Sequence, residues 1–186
     1  MIRKVSKFFK FLFIKTKYLL AKLACFFKKK LKTKIFFVFI ERGYDAQDNS
    51  LYMFEYMSQY YDCYFILPKK YTLPHSIDEK HKLIFGSIKS FIYLLLCKAI
   101  ISTHIYSFVP GNFSESFKMK KFKFTSKKIW LQHGIIYSFH PELVYPNANI
   151  DLFICGAYPE YKSIIELYKY PPGIVQYTGL ARYDGL

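Results

Sequence analysis

The sequence predicts an α/β domain with a Rossmann-like parallel sheet, preceded by a basic amphipathic helical segment. From Ile35 onward, short β-rich runs alternate with helical stretches, which is the order of elements in parallel α/β domains. The first run, residues 35–40, is apolar without interruption, as expected of a strand covered on both faces. The chain has 186 residues, 52% of them hydrophobic, and this composition predicts one packed core rather than disorder.

The individual elements follow from local signals. The predicted strands span residues 35–40, 63–67, 83–85, 100–103, 129–132, 151–155 and 174–178. The predicted helices span about 51–61, 87–98 and 159–169. Asp48 or Asn49 caps the first of these helices and Ser87 caps the second, whereas Pro159 suits the first turn of the third. A basic, glycine-containing loop at 109–128 connects two of the strands.

The positive charge of the chain is concentrated at its N-terminus. The formal net charge is +15, but residues 1–34 contain twelve basic and no acidic residues, which leaves only +3 for residues 35–186. Lysines interrupt every apolar run in this segment, so none approaches the ~18 apolar residues of a membrane-spanning helix. A signal peptide is also not expected, because the segment lacks an apolar central region and a small-residue cleavage site.

Residues 1–34 are amphipathic when placed on a helix. Most of their basic residues fall within an arc of about 160°, and bulky apolar residues take the opposite side. The residues that depart from this pattern are Phe11, Ile14, Tyr18, Lys30 and Lys34. The pattern is typical of a helix lying on an anionic membrane surface. Two alternatives are a solvated helix that packs on the domain and a nucleic-acid-binding arm; the single arginine and the apolar side disfavour the latter, so we expect no nucleic-acid partner.

The four cysteines predict no metal chemistry. Cys25, Cys63, Cys97 and Cys155 lie far apart, without a C-x-x-C pair or a nearby histidine. We therefore expect core thiols in a reducing cytoplasm, no metal site and no cofactor.

The loops that follow the strands are the expected place for a ligand, because open α/β sheets bind ligands beyond the carboxyl ends of their strands. His133 directly follows one predicted strand and precedes Gly134, which would allow another group to approach closely. A histidine titrates near neutrality, so it can accept a proton from a nucleophilic hydroxyl at cellular pH. A hydrogen-bonded structural histidine fits the same position equally well.

Two further features are open to more than one interpretation. Residues 43–50 lie between a strand and a helix N-terminus, where backbone N–H groups favour an anion, but helix capping and turn formation also explain them. Asp45 and Asp48 would repel a phosphate there. Arg182 has the geometry to bind a phosphate with two hydrogen bonds, although a surface ion pair is the commoner use of a single arginine.

Five sequence blocks together resemble one protein family. The blocks are residues 41–49 (ERGYDAQDN), 101–105 (ISTHI), 130–134 (WLQHG), 151–157 (DLFICGA) and 177–184 (YTGLARYD). In this order they resemble the CDP-glycerol:poly(glycerophosphate) glycerophosphotransferases of teichoic-acid and capsule biosynthesis. The resemblance covers residues 35–186 but only the N-terminal half of the family's catalytic region. It implies one half of a GT-B-like fold, the acceptor-side domain, with the C-terminal donor domain absent.

The resemblance also implies a reaction. His133 matches the histidine proposed as catalytic base, which would deprotonate the terminal glycerol hydroxyl of a lipid-linked polymer acceptor. The hydroxyl would attack the β-phosphate of CDP-glycerol and release CMP, a phosphoryl transfer that depends mainly on positioning. The positions expected to bind substrate are Arg42, Gly43, Asp45, Asp48, Asn49, Thr103, His104, Gln132, Gly134 and Arg182.

These implications lead to an expected location and to two alternatives. We expect a peripheral enzyme part on the cytoplasmic face of the cell membrane, which meets CDP-glycerol only through the missing domain and is inactive alone. The alternatives are a membrane-bound interaction module without activity and half of a GT-B glycosyltransferase that uses a nucleotide sugar.

Overall fold

The computed structural model describes residues 2–27, 34–42, 45–105, 122–148 and 150–185. The strands are β1 (Phe36–Ile40), β2 (Asp62–Leu67), β3 (Lys82–Ile84), β4 (Ala99–Ser102), β5 (Lys127–Trp130), β6 (Leu152–Cys155) and β7 (Val175–Tyr177). The α-helices are α1 (Ile2–Cys25), α2 (Asn49–Met57), α3 (Ile88–Leu96) and α4 (Tyr158–Tyr168). Short 3₁₀ turns lie at Glu79–His81, Pro141–Leu143 and Ala181–Gly185.

The seven strands form one parallel sheet in the order β3-β2-β1-β4-β5-β6-β7. The chain therefore builds outward from the central strand β1, first to one edge and then to the other. This is the doubly wound arrangement of a Rossmann-like domain, as the sequence predicts.

Two apolar cores lie on the two faces of the sheet. In β1, Phe36, Val38 and Ile40 join the larger core with residues of α1, α3 and α4, whereas Phe39 joins the smaller core with Phe54 of α2. Successive strand residues point to opposite faces, so both faces need apolar side chains. The uninterrupted apolar run in the sequence is a consequence of this double burial.

The observed element boundaries differ from the predicted ones by a few residues. Helix α2 begins at Asn49 rather than 51, because the Asp48 side chain accepts a hydrogen bond from the Asn49 N–H at 2.8 Å and caps the helix. Strand β5 ends at Trp130 rather than at residue 132. Gln132 has a φ of 61°, a left-handed conformation that cannot continue a strand. Part of the predicted 109–128 loop lies outside the described residues.

Helix α1 packs on the domain through Ala21 and the three apolar residues that departed from its amphipathic pattern. Ile14, Tyr18 and Ala21 are buried in the larger core, and Phe11 packs against that core. The Tyr18 hydroxyl donates to the Lys123 carbonyl at 2.7 Å and accepts from the Lys123 N–H at 3.1 Å. One side of this helix therefore packs on the domain, which was one of the alternatives to membrane binding.

The opposite side of α1 and the turn after it carry exposed apolar residues, which we call the outer face. The outer face consists of Leu12, Phe13, Leu19, Leu20, Leu23, Phe26 and Phe27. At about 100° per residue, Leu23 lies about 180° around the helix from Ile14. Among the described residues, no helix is both long and apolar enough to cross a membrane.

Three of the four cysteines are core thiols, as predicted. Cys63, Cys97 and Cys155 are buried, and Cys25 is partly buried. Burial raises the pKa of each of the three buried thiols to about 12. They are therefore protonated core residues rather than reactive thiolates.

The packing of α1 predicts a difference between its two sides. We expect Tyr18→Ala to lower the free energy of unfolding by about 3 kcal/mol, because a buried aromatic side chain is lost. Leu19→Ala should change it by no more than about 0.5 kcal/mol, because Leu19 is 54% exposed. Urea unfolding followed by circular dichroism measures both values, and equal losses in the two variants would contradict the observed orientation of the helix.

Candidate functional site

The candidate site lies where the central strands end. Ile40 of β1 pairs with Ser102 of β4, and Ser102 pairs with Trp130 of β5. Because these strands are parallel and end at the same level, the segments that follow them emerge side by side. The sheet thus brings residues 41–48, 103–105 and 131–134 to one edge.

Asn49 joins three of the segments at this edge. Its side chain is fully buried; Nδ2 donates to the Gln132 carbonyl at 2.8 Å, and Oδ1 accepts from the Arg182 N–H at 3.0 Å. A buried amide stabilises a fold only when its polar atoms are paired, and here both are. Asn49 therefore fixes the end of β5 and the C-terminal 3₁₀ turn against the start of α2.

Arg182 adds a second connection between the same segments. Its Nη1 donates to Asp48 Oδ1 at 3.0 Å and to the His133 carbonyl at 2.9 Å. The side chain is one-third exposed. Arg182 thus forms an ion pair and holds the backbone of His133, and its Nη1 is engaged within the protein.

His133 is exposed at this edge, and its ring lies on that of His104. The two ring centroids are 4.5 Å apart, and the ring planes differ by 11°. The carbonyls of Gln132 and His133 are held by Asn49 and Arg182 respectively. The imidazole of His133 is therefore presented to solvent from a fixed backbone, supported on one face.

His104 is held by the protein at both ring nitrogens. Nδ1 lies 2.9 Å from the Thr103 hydroxyl oxygen, and Nε2 accepts a hydrogen bond from Arg42 Nε at 3.2 Å. Burial, the neighbouring His133 and then Arg42 lower the pKa of His104 to about 4. His104 is consequently uncharged at neutral pH, since burial and positive neighbours both disfavour the charged form.

A polar cavity of about 230 Å³ adjoins this histidine pair. It is lined by Glu41, Arg42, Asp45, Gln47, Asp48, His104 and Arg182. Three carboxyl groups and two guanidinium groups share the cavity. Its charge is therefore mixed, which fits hydroxyl groups as well as phosphate.

Glu41 organises the loop along one wall of this cavity. Its side chain is buried, and its carboxylate accepts from the N–H groups of Gln47 and Asp48 at 2.9 and 2.8 Å. Burial is the largest influence on this group and raises the pKa of Glu41 to about 7. The sequence placed Glu41 in the loop but did not single it out as a site residue.

Most residues that the sequence nominated do meet at this edge. Asp45 accepts from the Arg42 N–H at 3.4 Å, and Asp48 caps α2 while pairing with Arg182. Both aspartates thus have a structural use, as the capping alternative for this loop expects. Gly43 lies outside the described residues. A Cβ at Gly134 would meet no atom within 4 Å among the described residues.

Gln132 has an unusual environment at the same edge. It is buried with a positive φ of 61°, and its Nε2 donates to the Ile154 carbonyl at 2.6 Å. Within the described part of the chain, its Oε1 is the one buried side-chain oxygen or nitrogen without a hydrogen-bond partner. Such an atom destabilises a fold, and features of this kind concentrate at functional sites.

Glu160 is a structural residue of the site that sequence reasoning missed. It is the third residue of α4 and is buried; its Oε1 accepts from the Ile136 N–H at 2.6 Å, and its Oε2 accepts from the Gly156 N–H at 2.8 Å. It therefore fixes the loop after His133 to the end of β6. The available signal was a glutamate at the third position of a helix with proline in its first turn, a common capping arrangement.

Comparisons with known proteins define the class of this chain. No protein-family model matches it. The minor teichoic acid biosynthesis protein GgaB of Bacillus subtilis (strain 168) is 33% identical over 155 residues, which is 80% of this chain and 17% of that protein. The chain is therefore homologous to a small part of a teichoic acid biosynthesis protein.

Solved structures of the wall teichoic acid polymerase TagF have the same fold. One histidine-to-alanine variant gives a TM-score of 0.63 at 16% identity, covering 92% of this chain and 44% of that one. A histidine-to-asparagine variant soaked with CDPG gives 0.61 at 16% identity, covering 97% of this chain and 48% of that one. The predicted family resemblance and the Rossmann-like fold are confirmed, and the chain spans less than half of each of these two polymerase chains.

The raised pKa of Glu41 predicts a pH-dependent stability. In the unfolded chain, Glu41 loses its proton near its ordinary pKa of 4.5, whereas the folded state retains it to about 7. The folded state binds more protons between these values, so the free energy of unfolding contributed by Glu41 falls as pH rises and levels off above about 7. The loss is about 3 kcal/mol.

The measurement is denaturant unfolding between pH 4 and pH 8 for the wild type and for Glu41→Gln, which cannot titrate. We expect the stability of the wild type relative to the variant to decrease across this range. A constant difference between the two proteins would show that Glu41 titrates alike in both states.

Proposed function

We propose that these residues form the acceptor side of a glycerophosphotransferase that extends a teichoic-acid or capsular polymer. The observation that carries this proposal is the placement of His133, an exposed imidazole on a fixed backbone beside a polar cavity. The homology to a teichoic acid biosynthesis protein supports it. The fold shared with a wall teichoic acid polymerase, studied as histidine variants, also supports it.

The proposed reaction assigns one chemical role to His133. The unprotonated imidazole takes the proton from the terminal glycerol hydroxyl of the acceptor, and that oxygen forms a bond to the β-phosphorus of CDP-glycerol. The bond from this phosphorus to the oxygen bridging the two phosphates breaks, and CMP leaves with its electron pair. Proton transfer by a positioned base contributes about 10²–10⁴-fold to such rates.

The donor nucleotide needs a second surface in this proposal. An in-line displacement requires the acceptor oxygen, the phosphorus and the leaving oxygen to be held together. The cavity beside His133 has a volume of about 230 Å³ and is lined by residues of this sheet edge. We propose that CDP-glycerol is held by a further domain or partner chain, so residues 1–186 alone do not catalyse repeated transfer.

We further propose that the outer face of α1 lies in the cytoplasmic surface of an anionic membrane. The Leu23 and Phe26 side chains are 61% and 75% exposed, which is unfavourable in water for side chains of this size. Lys15 and Lys22 lie about a quarter turn from the centre of the outer face, where they can reach lipid headgroups, whereas Lys17 donates to the Gly86 carbonyl at 3.1 Å. The domain packs on the opposite side of α1, which leaves the outer face available to a bilayer.

The role of His133 predicts a selective loss of turnover. We expect His133→Ala to lower polymer formation at least about 100-fold when the chain is assayed together with the domain or partner that binds CDP-glycerol. Binding of CDP-glycerol should remain within about twofold. His75→Ala is the matched control, because His75 is an exposed histidine of the same domain. The assay is CMP release with a lipid-linked acceptor, and near-normal turnover of His133→Ala would return His133 to a structural role.

The membrane proposal predicts that binding depends on the outer face. We expect Leu19→Ser with Leu23→Ser to weaken binding to phosphatidylglycerol-containing vesicles at least about tenfold, because two apolar side chains no longer insert. Ile165→Ser with Leu167→Ser is the matched control, since these α4 residues are 45% and 50% exposed.

Vesicle co-sedimentation at low and high salt measures this binding. Binding by the wild type should also weaken at high salt, because the lysine contribution is screened. Equal binding of both double variants, or equal binding of the wild type to neutral vesicles, would contradict the proposal. Salt-sensitive binding to RNA instead of vesicles would favour the nucleic-acid alternative.

A further inference from the structure

The two histidines at the site have different surroundings. The His104 ring is bonded at Nδ1 to Thr103 and at Nε2 to Arg42. Its backbone is also held, because the His104 N–H donates to Ser102 Oγ at 3.1 Å and the Ser102 hydroxyl donates to the His104 carbonyl at 2.9 Å. His133, in contrast, has its backbone carbonyl bound by Arg182 and its side chain exposed.

The contact with Arg42 determines which nitrogen of His104 carries a proton. A guanidinium has only donors, so the Nε2 atom that receives the Arg42 Nε–H must have a free lone pair. A neutral imidazole then carries its proton on Nδ1, from which it donates to the Thr103 hydroxyl oxygen. His104 therefore has one uncharged tautomer, fixed by two neighbours.

This tautomer leaves His104 without a ring nitrogen for a ligand. Both nitrogens are committed to protein atoms at 2.9 and 3.2 Å. The part of His104 that remains in contact with the site is the flat face of its ring, which lies against His133 at a centroid distance of 4.5 Å. A hydrogen-bonding role toward substrate, which the sequence suggested for His104, would require breaking one of these bonds.

We infer that His104 is a positioning residue: Arg42 and Thr103 hold it as a neutral platform that supports the ring of the base His133. The role of His133 as a base rests on the proposed function. The support of its ring by His104 does not. A flat support limits rotation of the His133 ring toward that side and keeps its lone pair directed at the acceptor. Fixed orientation of this kind is a large part of the effect of a catalytic group.

The absence of charge on the His104 ring favours proton transfer to His133. A protonated neighbour at this distance would oppose the arrival of a second positive charge on His133. His133, Arg42 and Asp48 are the charged or titratable groups that act on His104, and Glu41, Asp45 and Arg182 line the same cavity. The pKa of His104, lowered to about 4, agrees with a neutral ring throughout the physiological range. Two adjacent histidines thus receive different tasks from their environments.

The tautomer is tested by nuclear magnetic resonance of the 186-residue chain with ¹⁵N-labelled histidine. We expect His104 to be protonated on Nδ1 only, and its ring to remain neutral from pH 5.5 to pH 8. Arg42→Met removes the Nε donor, so the neutral tautomer with its proton on Nε2 should become populated. Arg182→Met is the matched control, because it removes the other guanidinium of the cavity without removing a bond to the His104 ring.

Titration of His104 above pH 6 in the wild type, or a proton on Nε2, would overturn the inference. The same change in Arg42→Met and Arg182→Met would also overturn it, because a general loss of positive charge would then be the cause. Because these readouts need no substrate, they remain valid if the proposed transferase activity fails.

The platform role is tested by exchanging the ring itself. Ring relaxation of His133 should show increased mobility in His104→Ala and near wild-type mobility in His104→Phe, which retains a flat face without nitrogens. In the complete enzyme, His104→Ala should lower kcat at least about tenfold with little change in acceptor KM, and His104→Phe should restore most of it. A His104→Phe variant that behaves like His104→Ala would mean that the nitrogens, rather than the face, are needed.

Discussion

The parallel alignment of the strands is the constraint on which the candidate site depends. Because β1, β4 and β5 run in the same direction in register, the residues after Ile40, Ser102 and Trp130 leave the sheet at one level. Segments distant in sequence then lie within hydrogen-bonding distance. The backbone groups at these ends have no ladder partner, so side chains must pair with them. Asn49 pairs with the Gln132 carbonyl beyond β5, and Glu41 pairs with the N–H groups of Gln47 and Asp48 in the loop after β1, so buried side chains fix both loops.

The histidine pair shows how different neighbours distinguish two residues of the same type. His104 and His133 are the same residue type in ring contact, but only His104 has both ring nitrogens bonded within the protein. The protein thus excludes one imidazole from proton transfer and leaves the other exposed. An assignment of this kind comes from neighbours rather than from residue type.

The sequence predicted the sheet well, because strands buried on both faces must be apolar throughout, as 36–40 is. It also predicted that His104 and His133 follow strands, and the structure places both within three residues of a strand end, at one edge of the sheet. It offered an ion pair as one use of Arg182 but did not predict the partners Asp48 and His133, which are distant in the chain. Nor did it predict the left-handed Gln132, because tertiary contacts such as the bond to Ile154 hold that conformation. Local patterns do not encode such contacts.

Helix α1 shows that deviations from a pattern carry information. A purely interfacial helix needs one apolar side, so Phe11, Ile14 and Tyr18 on its basic side had no explanation within that interpretation. The structure gives them one, because they pack on the larger core while the outer face stays exposed. A helix with two opposed apolar sides separated by lysines can pack on its domain with one side and bind a second apolar surface, such as a membrane, with the other. The packed side fixes the helix to the sheet, so whatever covers the outer face also sets the orientation of the edge that carries His133.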